Sequence, residues 1–582
     1  MGVRFLQTFM KREVQNGAHY IQILREISNS AEQHDRKPLI LIDLMALHEL
    51  FKGDNCSVLC GSQVMLCEQQ AAQFFSQLVE SGAELVFFWD GNVQANKYDT
   101  WLERQNDKYT RMITVIDAIN QGQPLQRIAT KHSFNIPPNT CLQLKRIAES
   151  YGRVIVSIHA ECDQELAAYA LEHEALAIIS NDTDFLIFNG CWQIWSANID
   201  LKTLRTLAFS KDALRWKLKL SIPAMAIWAT LAGNDFYNYE QLKPFHDGLG
   251  QAKFLKLAQY VRTLPVVERF DDNVIQQVLR CVYKRRRIPD QAVTWFRQSL
   301  DFYINDTQMR HRSKPPLDPI ETFLLQESQH FVVGVLNGAP HNSTLFFFDY
   351  RSNDLGSYFD IVVPIIAKIA GIILYHRQHE RGHITVVAKK GHQESYAQHN
   401  IAAVFPCDLA VPHFTDLLSR DDTMMAALLE RKLQLLRWVC SDVVDDNSLA
   451  AVPHGLMVTV LTLVRLVECR IVRVFEADLL LLIAHELQTN QFVPSQEQCP
   501  TQLNPRAFRV GFLFQKVYQE ISRAAQSIGL SSDYRPSTPY DGYRFHNNYD
   551  KFQNSQTDEL MKPPTALWRL YVPTEKHDKS DQ

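Results

Sequence analysis

Residues 175–188 read ALAIISNDTDFLIF, an apolar run that leads into two aspartates, Asp182 and Asp184. The run is short and rich in β-branched residues, which is typical of a buried strand. Because helical segments such as Glu68–Ser81 separate it from similar runs, we expect a parallel α/β sheet with helices on both faces. The earlier runs are PLILID at 38–43, ELVFFW at 84–89 and the stretch Val154–His159.

The length of 582 residues predicts two or three domains. After about residue 260 the strand pattern gives way to long helical patterns, and no apolar run is long enough to span a bilayer, so no membrane partner is expected. The expected organisation is an α/β domain over 1–262, a helical basic connector over 263–330, a mainly helical domain over 331–530 and an irregular tail over 531–582.

Acidic residues follow each strand-like run at the point where it ends, and Asp235 follows a helical run that ends at Gly233. In a parallel sheet the carboxyl ends of the strands meet at one edge, where open α/β sheets bind their ligands. We therefore expect most of these carboxylates to face one crevice. They are Asp43, Asp90, Glu161, Asp163, Asp182, Asp184 and Asp235.

The chemistry of this acidic set predicts a metal site. Closely spaced carboxylates repel each other unless cations neutralise them, and ligands that are all oxygen favour Mg²⁺ or Mn²⁺. Up to two such ions, ~4 Å apart, could activate a water for phosphodiester cleavage. A single aspartate after a strand is usually a helix N-cap, but capping accounts poorly for the whole set.

Two groups of cations are candidates for contacting phosphates. Lys97 and Arg104 are seven residues apart on a predicted helix, so they share a face, and they follow Asp90 closely. The run Lys284, Arg285, Arg286 and Arg287 could be a phosphate patch or a nuclear-localisation signal. The alternative for both groups is a solvated surface. With a net charge of -4, any nucleic-acid surface must be a local patch.

The 11 cysteines are scattered, which suits a reducing compartment and an expected place in the nucleus and/or cytoplasm. Cys56, Cys60 and Cys67 form the one tight group in the sequence. Their spacing allows a zinc site, although no second pair follows nearby, and the alternative is a set of packed thiols.

The acidic set resembles that of the flap-endonuclease and XPG superfamily of PIN-like nucleases. The start Met1-Gly2-Val3-Arg4 is similar to its N-terminal motif, with Phe5 in place of the usual glycine. The resemblance implies that Asp43, Asp90, Glu161 and Asp163 serve one ion, and Asp182, Asp184 and Asp235 the other. It also implies a catalytic, phosphate-contacting role for Lys97 and Arg104. The stretch GLGQAK at 248–253, which ends in Lys253, is similar to the family's backbone-gripping hairpin.

Within the superfamily, the chain more closely resembles the constitutive coactivator of PPAR-gamma family, which is related to the asteroid proteins. The stretches that carry this resemblance are FFWDGNVQANKYDTWLER at 87–104, IVVPIIAKIAGIILYHR at 361–377, NPRAFRVGFLF at 504–514 and PYDGYRFHNNYDKF at 539–552. The resemblance implies a scaffold or coactivator that binds RNA or single strands, with protein partners on the helical C-terminal region. The alternative is an active Mg²⁺- or Mn²⁺-dependent endonuclease acting on single-stranded or flap DNA or RNA.

Overall fold

A computed structural model describes residues 2–34, 36–91, 93, 97–135, 138–158, 161–250, 252–264, 272–284, 287–303, 318–440 and 449–555. Spatial contacts divide the chain into two units, each of which is discontinuous in sequence. The first unit comprises Met1–Leu50, Ala72–Gly91 and Lys145–Pro316. The second comprises Phe51–Ala71, Asn92–Leu144 and Leu317–Gln582.

The first unit is built on a seven-stranded sheet of order β1-β7-β6-β5-β2-β3-β4. The strands β6, β5, β2, β3 and β4 run parallel, and β7 and β1 extend the sheet with antiparallel pairings. Their bounds are Ala18–Gln22 (β1), Leu39–Asp43 (β2), Glu84–Asp90 (β3), Arg153–Ser157 (β4), Ala177–Ile179 (β5), Gln193–Trp195 (β6) and Arg205–Phe209 (β7).

The four strand-like runs of the sequence correspond to β2, β3, β4 and β5, and the α/β fold class is confirmed. The middle strands are apolar because both of their faces are buried: Ile40, Leu41 and Ile42 of β2 have no exposed surface. The sequence analysis did not predict β1, β6 or β7, in which apolar and polar residues are mixed over five residues or fewer.

Helices of the first unit share one hydrophobic core with its sheet. Ile275, Leu279 and Phe296 are buried in this core, so helices Asp272–Tyr283 and Ala292–Phe302 of the expected connector pack into the first unit. The helices of this unit include Leu6–Arg12, Ile23–His34, Cys162–Glu172, Lys211–Leu218, Ile222–Ala232, Tyr239–Asp247, Lys253–Val261, Asp272–Tyr283 and Ala292–Phe302. Short 3₁₀ turns follow β2 at Leu44–Leu47 and β5 at Thr183–Leu186.

The second unit is mainly helical and has a small sheet of order β10-β9-β8, formed by His341–Asn342 (β8), His383–Ala388 (β9) and Ala397–Ala402 (β10). Its long helix Pro505–Ser527 is buried along most of its length and packs against helices 358–373, 422–440, 457–468 and 542–555. The helices of this unit include Asn55–Leu59, Tyr98–Asn120, Leu125–Lys131, Pro319–Gln326, His330–Asn337, Tyr358–Ile373, Phe414–Leu417, Asp422–Cys440, Met457–Glu468, Val474–Gln488, Pro505–Ser527 and Gly542–Ser555. The helices His48–Phe51, Val64–Glu80 and Pro138–Glu149 each have residues in both units.

Residues 531–555 differ from the irregular tail that the sequence led us to expect. They contain the helix Gly542–Ser555, and the rings of Tyr540, Phe545 and Tyr549 are almost fully buried. The Tyr540 hydroxyl donates a hydrogen bond to the carbonyl oxygen of Cys60 (3.0 Å). The polar composition was misleading because each tyrosine buries a large apolar ring while its hydroxyl finds a partner.

Across the described residues, no helix combines the length and the apolar character that crossing a lipid bilayer requires.

Candidate functional site

The strand order places a crevice where β2 and β5 lie side by side. The chain runs outward from β2 through β3 to β4, and then returns to the other side of β2 as β5. Ligands of open α/β sheets bind at such a reversal, beyond the carboxyl ends of the strands. Asp43 is the last residue of β2, Asp90 is the last residue of β3, and Asp182 follows β5 by three residues.

Asp43 uses both carboxylate oxygens in hydrogen bonds. Oδ1 accepts from the backbone N–H groups of Met45 (3.0 Å) and Ala46 (3.3 Å), which caps the turn after β2, and Oδ2 accepts from Ser180 Oγ (2.8 Å). Burial and the nearby charge of Asp90 nevertheless raise the pKa of Asp43 to about 7. The side chain therefore acts as a helix cap and as a member of an acidic cluster.

Asp163 and Asp184 carry the strongest sign of crowded negative charge. Burial is the largest cause of a pKa raised well above the usual value at both residues, and the charge of Asp182 is the next cause. Asp43 and Asp90 also raise the pKa of Asp163. The carboxyls that follow β2, β3 and β5 therefore share one electrostatic environment with the first turn of helix 162–172.

Asp235 joins this environment through Asp184, whose pKa it also raises. It follows helix 222–232 in a turn that Asn234 closes, with Asn234 Oδ1 accepting from the backbone N–H groups of Phe236 and Tyr237 (3.0 Å each). The Tyr303 hydroxyl donates to Asp184 Oδ1 (2.7 Å) and accepts from Asn234 Nδ2 (3.1 Å). One hydroxyl thus ties the turn around Asp235 to Asp184.

The N-terminal segment lies directly on the turn after β5. A Cβ atom at Gly2 would lie 2.4 Å from Asp182 Oδ1, and the φ of Gly2 is +54°, so only glycine fits. Thr183 Oγ1 donates to the carbonyl of Val3 (3.2 Å), and Gln7 Nε2 donates to the carbonyl of Asn181 (2.9 Å). Residues 2–7 therefore form part of the rim of the acidic crevice.

The structure thus places Asp43, Asp90, Asp163, Asp182 and Asp184 where their charges act on one another, and Asp235 joins them through its effect on Asp184. Glu161 is the N-cap residue of helix 162–172, two positions before Asp163. Their role as metal ligands stays a prediction.

The cluster suits a divalent ion in the type of its ligand atoms but not in the present positions of its side chains. Its donors are all oxygens, which suits Mg²⁺ or Mn²⁺. Their present positions suit protein donors instead, since Asp43 faces Ser180 and backbone N–H groups, and Asp184 faces Tyr303. Among the residues that the structure describes, no three His, Cys, Asp or Glu side chains are spaced to hold one ion in common. The spacing therefore does not fit a bound ion without side-chain movement.

The predicted phosphate-binding cations lie in different parts of the chain. Lys97 is the N-cap residue of helix 98–120 and Arg104 lies in that helix, so both belong to the second unit. Lys253 begins helix 253–261 of the first unit. Lys284 is exposed, and Arg287 pairs with Asp290 at 3.3 Å on an exposed surface. Arg285 and Arg286 lie outside the described residues.

The three clustered cysteines are buried in the second unit. Burial raises the pKa of Cys56 and of Cys67 to about 12, and that of Cys60 well above its usual value. Thiols in this state are poor nucleophiles, because the thiolate is the reactive form.

Sequence analysis did not identify Ser180, Asn234 and Tyr303 as part of the site. Ser180 lies two residues before Asp182 and Asn234 directly precedes Asp235, so the stretches SNDTD and GNDF contained a local signal. Tyr303 lies 119 residues from Asp184, and nothing in its surrounding sequence indicates the contact.

A mostly parallel sheet with helices around it and carboxylates at its strand ends defines an α/β chain with a candidate ligand crevice at the reversal of strand order. In sequence, the chain is similar to the mouse and human proteins named constitutive coactivator of peroxisome proliferator-activated receptor gamma, each 28% identical over 243 residues, or 40% of this chain. This similarity confirms the family resemblance. The matched region spans 30% of the mouse protein and 26% of the human one, so it leaves most of each relative uncovered.

Among solved structures, the catalytic core of Rad2 in complex with DNA substrate is 15% identical, with a TM-score of 0.32 over 53% of this chain and 89% of that one. The Holliday junction-resolving enzyme GEN1 in complex with product DNA, Mg²⁺ and Mn²⁺ is 12% identical, with a TM-score of 0.33 over 58% and 78%. No family model matches the chain.

The pKa of Asp43 predicts a stability that falls as the pH rises. Folded Asp43 keeps its proton to about pH 7, whereas the unfolded side chain loses it near pH 4, so between these values the folded state binds more protons. We expect Asp43→Asn, measured by denaturant unfolding with a chelator present, to be more stable than the unchanged protein above pH 7 by up to about 4 kcal/mol. The amide keeps an oxygen for the backbone cap.

The gain should disappear near pH 4, where both forms are neutral. Asp247→Asn, an exposed acid of the same unit, serves as the control and should show no such pH-dependent gain. A gain from Asp43→Asn that is equal at both pH values would contradict the electrostatic explanation.

Proposed function

We propose that this protein is a nucleic-acid-binding scaffold of the coactivator type, built on a flap-endonuclease-like fold and directed at RNA or single strands. The observation that carries the proposal is the cluster of carboxylates after β2, β3 and β5, where burial and neighbouring negative charge raise the pKa values of Asp43, Asp163 and Asp184. A cluster of this kind destabilises the protein on its own, because burial and like charges oppose ionisation. Its retention is best accounted for by a ligand that brings positive charge to the crevice.

A scaffold is favoured over an efficient enzyme because the carboxylates are already engaged. Both oxygens of Asp43 and one oxygen of Asp184 accept hydrogen bonds from protein groups at 2.7–3.3 Å. Metal-assisted hydrolysis needs ligands and phosphate held close to the reactive geometry, and a misplacement of about 1 Å can cost about a hundredfold in rate. An ion would have to displace these hydrogen bonds when it binds, which opposes such precise placement.

Mg²⁺ or Mn²⁺ remains the proposed cofactor of the crevice, with up to two ions. Such an ion supplies positive charge that offsets the repulsion between carboxylates. The residues that would turn toward it are Asp43, Asp163, Asp182 and Asp184, released from their present partners.

The alternative function is a structure-specific endonuclease that acts on single-stranded or flap DNA or RNA. It is favoured by the oxygen-only composition of the cluster and by its place at the carboxyl ends of parallel strands.

Protein partners are proposed for the helical C-terminal region, in keeping with the coactivator names of the relatives. The proposed location is the nucleus and/or the cytoplasm, where nucleic acid is available.

Divalent ions should stabilise the first unit if they enter the crevice. At a hundredfold excess over the dissociation constant, Mg²⁺ or Mn²⁺ should add about 2.7 kcal/mol to the free energy of unfolding. Asp182→Asn should weaken this response and leave the metal-free protein folded. The measurement is a melting curve with added ion against one with chelator, and Asp247→Asn should respond as the unchanged protein does. Identical curves for the unchanged protein would exclude ion binding to the folded state.

The nucleic-acid proposal is tested by the salt dependence of binding to a labelled single strand. If Lys97 and Arg104 each neutralise one phosphate, the change Lys97→Ala with Arg104→Ala should flatten the plot of log affinity against log salt by about 1.4. The matched control is Arg127→Ala with Lys131→Ala, two exposed cations of the second unit, which should leave the slope unchanged. Equal slopes for both double variants would move the binding surface elsewhere, and absence of binding would reject the proposal.

A cleavage assay separates the scaffold from the endonuclease. We expect labelled single-stranded and flap substrates to be bound and cut slowly, with Mn²⁺ more effective than Mg²⁺, and we expect Asp182→Ala to abolish the cutting. Turnover above ~1 per second with Mg²⁺, which lies in the ordinary enzyme range, would make the endonuclease the better description. The Asp182→Ala control distinguishes such turnover from a contaminating nuclease.

A further inference from the structure

Phe5 combines two features that a protein normally avoids. Its φ is +68°, in the left-handed region that favours glycine, and its side chain is 54% exposed. A large aromatic residue gains little from exposure and loses stability from this backbone conformation. Strained residues that persist in a fold cluster at functional sites.

Arg4 and Lys253 both lie close to the aromatic rings of Phe5 and Tyr239. The guanidinium carbon of Arg4 lies 5.0 Å from the ring centroid of Phe5 and 5.2 Å from that of Tyr239. Lys253 Nζ lies 5.0 Å from Phe5 and 4.8 Å from Tyr239. We name these four residues, Arg4, Phe5, Tyr239 and Lys253, the cation–aromatic platform.

The two cations of the platform, Arg4 and Lys253, are only weakly neutralised by the acid that pairs with Arg4. Arg4 and Lys253 repel each other around the same two rings, and the charge of Arg4 contributes to the lowered pKa of Lys253, after burial as the largest cause. Glu240 lies 3.5 Å from Arg4, but both side chains are more than half exposed, so the pairing is weak. An added anion between the two cations would relieve the repulsion.

The platform adjoins the acidic crevice at two points. Gly2 lies against Asp182, and three residues of chain, at most about 11 Å, separate Gly2 from Phe5. Tyr239 follows Asp235 by four residues. A ligand on the platform therefore lies within a short length of chain from the carboxylates that the proposed function assigns to a divalent ion.

We propose that the cation–aromatic platform binds one unpaired nucleotide of a single strand, with its base stacked on Phe5 and its phosphate between Arg4 and Lys253. Single-strand sites combine these two elements, because any base offers a face for stacking and each nucleotide supplies a negative charge. A paired base has both faces covered by its neighbours in the duplex, so the platform should favour single strands. This inference rests on the proposed nucleic-acid-binding function and adds a site and a substrate form to it.

The test measures the affinity of the full chain for a labelled thymidine homopolymer and for an abasic strand of the same length. Phe5→Gly should weaken binding to the thymidine strand by about fivefold or more, the low end of what one stacking ring contributes. It should leave abasic binding and the salt slope unchanged, because no charge is removed. Phe5→Tyr should bind as the unchanged protein does. A higher melting temperature for Phe5→Gly would show that lost affinity is not lost folding, since glycine relieves the strain at this φ.

The matched control is Tyr20→Ala, which removes another exposed aromatic residue of the same unit, one that has Arg205 over its ring at 5.6 Å. It should leave affinity unchanged. Arg4→Gln with Lys253→Gln should flatten the salt slope by about 0.7, because the two cations share one phosphate.

The outcomes separate the inference from the proposed function. If the unchanged protein binds no nucleic acid, the proposed function fails and the inference fails with it. If it binds, but Phe5→Gly and Tyr20→Ala behave alike, the function stands and the platform is wrong. Binding of polyglutamate with the same dependence on Phe5 would assign the platform to an acidic protein partner, and equal affinity for duplex and single strand would reject base stacking.

Discussion

Repulsion between buried carboxylates is the constraint on which the rest of the first unit depends. The acids after β2, β3 and β5 cannot all ionise without a large cost in free energy. For this reason the pKa values of Asp43, Asp163 and Asp184 are raised. The fold supplies partial compensation through hydrogen bonds from Ser180 and Tyr303. A protein selected for stability alone would replace such a cluster with amides or apolar residues, so its persistence has to be explained by function.

The sequence indicated those residues of the site that directly follow a strand in the chain. An apolar β-branched run followed by an acid specifies a strand and the end at which the acid lies, so Asp43, Asp90 and Asp182 could be placed without coordinates. The rest of the site depends on tertiary contact. The Tyr303 hydroxyl reaches Asp184 across 119 residues. The strand β7 likewise pairs with β1, almost 190 residues earlier, and neither strand has a continuous apolar run that would have revealed it.

The division into two units was beyond sequence analysis for a related reason. Composition changes near residue 260, yet Phe51–Ala71 and Asn92–Leu144 belong with the C-terminal residues. Long-range contacts account for this, as when the Tyr540 hydroxyl bonds to Cys60 and Gln63 Nε2 bonds to Asp541 (3.2 Å). A fragment that ends near residue 262 would therefore expose buried residues such as Leu59 and Met112. The nuclease-like region and the helical region are coupled in folding by the path of the chain.

Position 5 connects the energetics of the fold with its inferred ligand. The N-terminal motif resembles one that usually has glycine at this position, and a φ of +68° is a conformation that suits glycine. A phenylalanine in this conformation costs about 1–3 kcal/mol, and its exposed ring recovers little of that cost in the free protein. A stacked base would cover the ring and recover apolar burial only in the bound state. Phe5 is strained in the free protein, and its ring becomes buried only when a base stacks on it. The residue therefore contributes to binding at the expense of stability.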